Sequence, residues 1–367
     1  MHPNPMRFLA PLGILALVAC GDATGPGAEV SAGGPWAQVA AGGAHGCAVD
    51  ATGTLACWGS NGSGQLGFDG SGVWEVPHGV GGGPWQSVAT GARHTCAVDV
   101  EGGVWCWGSN EQGQVDGSPG KDRPTPTRLP IQARVTQVAA GEAHSCALTQ
   151  EGLIVCWGRS TEGQAGGDGR VTGPLPPTVI PGGPWTTLTA GAYHGCAVTR
   201  AGTAHCWGAN GGGEVGAGVA LSPRLAVSRV GGALRFRSVG AGVATACGVD
   251  DGQRVLCWGD NEAGQVAPTG PRVGSPVLRD AGPILAVAGG DRWTCALRGD
   301  GSASCWGLRW DMAEGGDAVK EPGGWTAVAS DGVSLAVGRR HACVVTTTGG
   351  IVCWGDPSGG RLGPFGP

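Results

Sequence analysis

Fourteen cysteines of this chain form seven pairs of constant spacing, with nine residues between the two members and Trp-Gly after the second. Cysteines at a repeated spacing either bind a metal or form disulfide bonds. Nine intervening residues is not a usual zinc spacing, and no second cysteine or histidine pair lies at ligand distance. The pattern therefore favours disulfide bonds over a metal site or a set of buried free thiols. The predicted bonds are Cys47–Cys57, Cys96–Cys106, Cys146–Cys156, Cys196–Cys206, Cys247–Cys257, Cys295–Cys305 and Cys343–Cys353.

Histidine is the second recurrent residue with possible chemistry. It stands two positions before the first cysteine in five units, and Thr245 and Trp293 replace it in the other two. Copies held apart by whole repeat units cannot converge on one ion unless they line a common axis. We therefore predict packing residues and no metal site. The five are His45, His94, His144, His194 and His341.

Catalytic and cofactor motifs are absent from the sequence. It contains no Gly-x-Ser-x-Gly elbow, no His-Glu-x-x-His and no P-loop. Residues 62–67 and 211–216 satisfy the Gly-x-Gly-x-x-Gly expression, but neither opens a helix in a βαβ unit. We predict a non-enzyme with no catalytic residue and no cofactor. A hydrolase assembled from loops of several units is the alternative.

The elements that carry the cysteines are predicted to be β-hairpins. In the first unit, residues 45–49 and 54–58 have the composition of short strands around a turn at 50–53. Glycine occupies the last turn position in six units, and it places the paired cysteines opposite each other. The fifth unit has Gly252 one place earlier, so its turn is expected to differ.

The repeat as a whole predicts an all-β fold, a seven-bladed β-propeller. Each unit of about 50 residues has three clear strand patterns and a weaker fourth with proline, as at 275–278, which suits an outer strand. The Trp after each second cysteine is predicted to pack between blades. The units are expected to begin near Trp36, Trp85, Val135, Trp185, Phe236, Ile284 and Trp325.

The N-terminal segment has the pattern of an export signal. Residues 1–20 contain an apolar run that is too short to span a bilayer, and 17–20 resemble the lipobox of bacterial lipoproteins. Cys20, the one unpaired cysteine of fifteen, would then be the lipid anchor and the mature N-terminus. Residues 21–27 form a flexible tether, 28–363 the propeller and 364–367 a tail. Residues 28–31 are expected to complete the last blade and close the ring.

The formal net charge of −5 gives no electrostatic basis for binding nucleic acid or an anionic membrane. We therefore expect the protein to meet the membrane only through its N-terminal lipid. We also expect it to be a monomer. The residue after Cys20 is glycine rather than aspartate, which by analogy with lipoproteins favours the outer membrane.

The repeat resembles that of the regulator of chromosome condensation (RCC1-type) family over roughly residues 28–363. The resemblance rests on the Gly-x-x-His-x-Cys-Ala-Val and Cys-Trp-Gly segments and on Asn61, Gly64, Gln65, Leu66 and Gly67. It implies a seven-bladed propeller, with the paired cysteines an addition that suits an exported variant. Functions in that family include guanine nucleotide exchange, ultraviolet sensing and β-lactamase inhibition, and none transfers residue by residue.

Binding residues are sought where the repeats are irregular, because loops on a rigid scaffold often carry function. The sixth unit replaces its Gly-Gln-Leu-Gly turn with residues 308–314, of which Arg, Trp and Met are types enriched in interfaces. Drift of an unselected loop is the competing explanation. Our candidates for binding an unknown protein or ligand are Trp74, Arg309, Trp310 and Met312.

The function expected from these observations is that of a lipid-anchored scaffold, which binds its partner outside the cytoplasm through divergent loops. The alternatives are an enzyme inhibitor of the β-lactamase-inhibitor kind, an exchange-factor-like regulator, and the loop-built hydrolase.

Overall fold

The computed structural model describes residues 35–166, 173–218, 224–310, 319–328 and 330–365. These form seven antiparallel sheets, or blades, whose strands are hydrogen-bonded in chain order. Blade one comprises β1 (Trp36–Ala41), β2 (His45–Asp50), β3 (Leu55–Ser60) and β4 (Val73–Gly79). Blade two comprises β5 (Trp85–Thr90), β6 (His94–Asp99), β7 (Val104–Gly108) and β8 (Arg123–Arg128). Blade three comprises β9 (Val135–Ala140), β10 (His144–Thr149), β11 (Ile154–Gly158) and β12 (Leu175–Ile180).

The other blades repeat this arrangement. Blade four comprises β13 (Trp185–Ala190), β14 (His194–Thr199), β15 (Ala204–Ala209) and β16 (Arg224–Arg229). Blade five comprises β17 (Phe236–Ala241), β18 (Thr245–Asp250), β19 (Val255–Asp260) and β20 (Arg272–Asp280). Blade six comprises β21 (Ile284–Gly289), β22 (Trp293–Arg298), β23 (Ala303–Arg309) and β24 (Val319–Val328). Blade seven comprises β25 (Gly332–Val337), β26 (His341–Thr346) and β27 (Ile351–Gly355), with two short 3₁₀ turns at Ser358–Gly360 and Gly363–Phe365. No helix in these described ranges is long and apolar enough to cross a membrane.

The predicted seven-bladed propeller is confirmed, and its ring is closed by the described residues themselves. The backbone N–H that opens each blade donates to a turn carbonyl of the blade before it, at 2.8–3.0 Å. Trp85 donates to Gly53 in this way, and the same bond from Trp36 to Gly349 joins blade one to blade seven. The expected closing strand at residues 28–31 lies outside the described residues, as do Cys20 and the rest of 1–34.

A glycine at the inner end of each first strand determines how closely the blades meet at the axis. A Cβ added at any of these seven glycines would lie 2.4–2.8 Å from the carbonyl oxygen of the equivalent glycine in the next blade. Real Cβ atoms do not approach oxygen so closely, so only glycine fits this position. The seven are Gly42, Gly91, Gly141, Gly191, Gly242, Gly290 and Gly338.

Each hairpin carries the predicted disulfide. Cys47 lies directly opposite Cys57 in the β2–β3 register, and the other six pairs are aligned in the same way. All seven bonds are formed, with Cα–Cα distances of 4.0–4.1 Å. The sulfurs belong to the core, because every cysteine of these pairs is at most 2% exposed. Such bonds are typical of proteins that fold in an oxidising compartment.

The tryptophans of the Cys-Trp-Gly segments pack between blades, as predicted. Cys47 and Cys57 lie in one cluster with Trp85 and Trp107 of blade two. The indole N–H of Trp107 also donates to the carbonyl of Gln65 at 2.9 Å, and the equivalent bond recurs at five other blade junctions. Trp354 has no acceptor among the described residues, and the corresponding loop of blade six, 311–318, lies outside them.

Three expectations need correction. The seventh blade begins at Gly332, not at Trp325, because Trp325 pairs with Cys305 in the outer strand of blade six. Residues 332–337 are therefore the first strand of blade seven. The fifth turn is unchanged, since Gln253 adopts the positive φ of 61° that glycine supplies elsewhere. Propeller packing also reaches beyond residue 363, because Phe365 is buried against Trp58 at a ring distance of 5.1 Å.

Candidate functional site

The two ends of the blades form the two faces of the propeller, which we call the upper and the lower face. The upper face is formed by the links from first to second strand and from third to fourth strand in each blade. Two residues stand between the axial glycine and the start of the second strand, and their types change from blade to blade. These pairs are Gly43-Ala44, Ala92-Arg93, Glu142-Ala143, Ala192-Tyr193, Val243-Ala244, Asp291-Arg292 and Arg339-Arg340.

An ion pair spans the centre of the upper face. The guanidinium of Arg339 in blade seven donates to the carboxylate of Glu142 in blade three. It lies at the mouth of a narrow axial cavity of about 100 Å³, to which all seven blades contribute backbone. Both side chains are partly exposed, so the pair adds at most about 1 kcal/mol to stability. The clearer consequence of the ion pair is steric, because the two side chains cover the mouth of the axial cavity.

A cleft of about 590 Å³ lies beside this ion pair, above blade one. Blade one has the smallest linking residues, Gly43 and Ala44. The larger side chains of the two neighbouring blades therefore extend above it on both sides and form the walls of the cleft. Arg93 of blade two forms one wall, and Arg340 and Arg361 of blade seven form the other. Three carboxylates, Asp122, Glu142 and Asp291, also line the cleft. The surface is thus charged with both signs and suits a polar macromolecular partner better than a small apolar ligand.

Two of the sequence candidates lie at the edge of this face, where blades six and seven meet. The guanidinium of Arg340 lies over the ring of Trp310 at 4.5 Å, and that of Arg309 lies over Trp325 at 5.8 Å. Trp325 in turn stacks on Trp293, with ring centroids 6.3 Å apart. Trp310 is partly buried against the core of blade six, so much of its ring area is already used within the propeller.

The other two candidates do not join this group. Trp74 contacts Phe68 and His78 within blade one, at ring distances of 5.3 and 4.7 Å, and it is partly buried. Its surroundings account for it as a packing residue of the outer strand. Met312 lies outside the described residues.

The recurrent histidines lie inside the propeller. All five are 0% exposed, and burial lowers their pKa to about 3 for His45, His144 and His341 and to about 4 for His94 and His194. His94 bonds Ser145 of the next blade at 2.9 Å, in the manner of His45 and Thr95. Neutral rings of this kind belong to the inter-blade packing. Within the described ranges, no group of three His, Cys, Asp or Glu side chains could hold a metal ion.

The upper-face residues were missed by the sequence reasoning, although the sequence contained a usable indication. The predicted pattern treated the two positions between glycine and histidine as unconstrained. Most of these side chains are partly or fully exposed around the axis, although Ala192 is only 6% exposed and a Cβ at Gly43 would lie 2.4 Å from the carbonyl oxygen of Ala92. Ring closure brings seven aligned copies of these backbone positions together. Variation at positions that converge in space is the feature to look for in a closed repeat.

Comparisons with known proteins agree with this geometry. Models of the regulator of chromosome condensation (RCC1) repeat match residues 36–65, 85–114, 135–164, 185–214, 236–265 and 333–361, and a second model of that repeat matches 101–148. Residues 266–332, which include all four strands of blade six, fall outside these matches. No curated protein matches the sequence.

Solved structures share the fold at low identity. Human WBSCR16 is 21% identical, with a TM-score of 0.75 over 84% of this chain and 91% of that one. Prp20p from Saccharomyces cerevisiae is 19% identical, with a TM-score of 0.71 over 83% and 80%. The ectodomain of the Physcomitrella patens receptor kinase CR4 is 21% identical, with a TM-score of 0.58 over 88% and 74%.

Proposed function

Because the chain belongs to the regulator of chromosome condensation (RCC1) repeat family, we propose that it is a non-catalytic propeller that binds a protein partner across its upper face. A scaffold or regulatory role is what the family fold supports. The upper-face assignment rests on one observation. Charged residues of four blades meet around the axis at positions whose residue types differ from blade to blade.

The energetic argument favours recognition over catalysis at this face. Arg93 pairs with Glu111 at 3.7 Å and Arg340 with Asp356 at 3.9 Å, and both arginines are about half exposed. Exposed ion pairs of this kind contribute little to stability, so a partner carboxylate can replace the internal one at small cost. Arginine also makes bidentate bonds with carboxylates, which gives such a surface selectivity.

We further propose that the protein works outside the cytoplasm, held to the cell envelope by lipid on Cys20. Seven buried disulfides support an oxidising compartment. Prp20p, which shares the fold, is described by its binding to Gsp1p and histones. That is a precedent for protein binding by this fold and names no partner for this chain.

The test is site-specific crosslinking in envelope extracts. A photoreactive residue at Gly62 would sit in the cleft without a clash, because nothing lies within 4 Å of a Cβ there. A matched probe at Asp251 samples the opposite face. We expect one protein to crosslink at position 62 and not at 251, and to be lost with Arg93→Glu or Arg340→Glu.

The control for charge reversal is Arg235→Glu, because Arg235 is exposed on the opposite face. Equal crosslinking at both positions, or capture that survives both upper-face reversals, would reject the assignment. Turnover of a substrate by the purified protein, lost with the same variants, would replace the scaffold with the loop-built enzyme.

A further inference from the structure

A second cleft lies on the lower face, which is formed by the hairpin turns and by the links from one blade to the next. It has a volume of about 800 Å³ and lies within blade four. The hairpin residues 199–203 form one side, and the link residues 181–184 form the other. Trp185, His205 and Val227 complete the lining. This volume is in the usual range for small-ligand sites.

Blade two shows what fills the same space elsewhere in the chain. Trp105 occupies the position equivalent to His205, and its indole packs edge-on against Trp85 at 6.2 Å. The indole N–H of Trp105 donates to Asp99 at 2.8 Å, so the residue is fully accommodated. In blade four the shorter His205 contacts Trp185 at 5.4 Å, and Thr199 replaces the aspartate. In blade two an indole therefore occupies part of the space that is open in blade four.

Polar atoms in the cleft are left without partners among the described residues. The indole nitrogen of Trp185, a residue only 3% exposed, has no acceptor, whereas that of Trp85 donates to Val80 at 3.3 Å. Nδ1 of His205 is also buried and bonds no other side chain. Buried polar groups normally have hydrogen-bond partners, so these two atoms favour a bound polar group. The hydroxyls of Thr199 and Thr203 are hydrogen-bonded to each other at 2.7 Å, which leaves one hydroxyl hydrogen as a further donor.

The charges around the cleft favour an anion. None of the described residues that line it is acidic, and Arg200 lies at its edge. Arg229 stands opposite His205 in the β15–β16 register and adds a second positive charge nearby. The upper-face cleft, by contrast, is lined by three carboxylates. Proline and valine side chains supply the apolar part of the lining.

We propose that this lower-face cleft binds a carboxylate group carried on an apolar body, either a small free acid or the C-terminal carboxylate of a peptide. The indole N–H, the threonine hydroxyls and the imidazole are the hydrogen-bonding groups, and Arg200 supplies the charge. The site is separate from the proposed upper-face interface, so failure of one leaves the other standing.

The test uses ligand-observed NMR on the full chain. Benzoate is the free-acid probe, and an apolar tripeptide with a free C-terminus is the peptide probe. Methyl benzoate and the amidated tripeptide carry the same bodies without the charge. We expect binding of at least one charged probe and about tenfold weaker binding of its uncharged match. The stronger of the two charged probes identifies the source.

Two variants locate the site. His205→Trp copies blade two and should abolish binding while leaving the melting temperature unchanged, whereas Val155→Trp, at the equivalent position of blade three, should bind as wild type. Arg200→Ala removes an exposed charge and should weaken binding about tenfold without affecting folding. Equal binding of charged and uncharged probes, undiminished binding by His205→Trp, or no binding at millimolar concentration would overturn the proposal.

Discussion

Three of the buried histidines have no side-chain hydrogen-bond partner among the described residues, and one of them can be supplied with such a partner by a single substitution. The hydroxyl of Ser145 makes two hydrogen bonds. It bonds Nε2 of His94 at 2.9 Å, and it donates to the carbonyl of Gln114 at 2.8 Å. The residue that stands in the same relation to His194 is Ala246, and neither ring nitrogen of His194 bonds another side chain. Ala246→Ser would place a hydroxyl between His194 and the carbonyl of Glu214.

The expected gain in stability follows from the burial of the groups that would surround the new hydroxyl. Ala246 is 1% exposed and the imidazole of His194 is fully enclosed, so the new hydroxyl enters a site whose acceptor and ring nitrogen are both desolvated. A neutral intramolecular hydrogen bond contributes about 0.5–1.5 kcal/mol, and an unsatisfied buried group costs about 1–3 kcal/mol. We expect Ala246→Ser to stabilise by about 1 kcal/mol and Ser145→Ala to destabilise by about 1–3 kcal/mol.

Thermal unfolding by calorimetry is the assay, with disulfides intact. For a domain of this size, 1 kcal/mol corresponds to a shift of about 2 °C in melting temperature. The same serine in a His194→Leu background is the control, because the hydroxyl then keeps only the carbonyl bond. A gain that persists unchanged in that background, or a loss of stability with Ala246→Ser, would refute the reasoning about the histidine.

Three other predictions concern acid, a strained turn and the N-terminus. The buried histidines have a pKa of about 3–4 against 6.5 in the unfolded chain, so the unfolded state binds more protons below pH 6.5. The free energy of unfolding should fall by about 2 kcal/mol per ring between pH 7.5 and 5, as measured by denaturant titration; no change would contradict it. Gln253→Gly should stabilise by about 1 kcal/mol in the same titration, because glycine accepts the positive φ, while Gln253→Ala should not. Deleting residues 1–31 should lower the melting temperature and deleting 1–27 should not, if 28–31 complete blade seven, and mass spectrometry should find diacylglycerol on Cys20.

The fold was predictable because packing restricts the repeat. The constant Cys-to-Cys spacing determines the hairpin register, and the Trp after it must fit between blades, so both features survive in every unit. The start of blade seven was not predictable in the same way. Its first residue is Gly332, where most blades have a bulky side chain, and Trp325 seven positions earlier offered a false match.

The candidate site was only partly predictable for a different reason. Irregular segments such as 308–314 are visible as breaks in a pattern, and two of their residues do border the upper face. Arg93, Glu142 and Arg339 break no pattern, because packing does not restrict their positions. Their proximity depends on ring closure, which brings together residues almost 200 positions apart, such as Glu142 and Arg339 at a separation of 197. The cleft of blade four required a comparison of filled and unfilled volumes, for which coordinates are necessary.

The axial glycines have a consequence for how such a chain can change over time. The axial glycine of each blade packs against the carbonyl of the axial glycine in the next blade, with no room for a side chain. The contact between Gly338 and Gly42 closes this series into a ring. The angle between blades is therefore shared equally around a full circle, and it is correct for one number of blades only. Duplication or loss of a single unit would require every junction to adopt a new angle at once. New specificity must instead arise by substitution and loop insertion on a ring whose blade number stays constant.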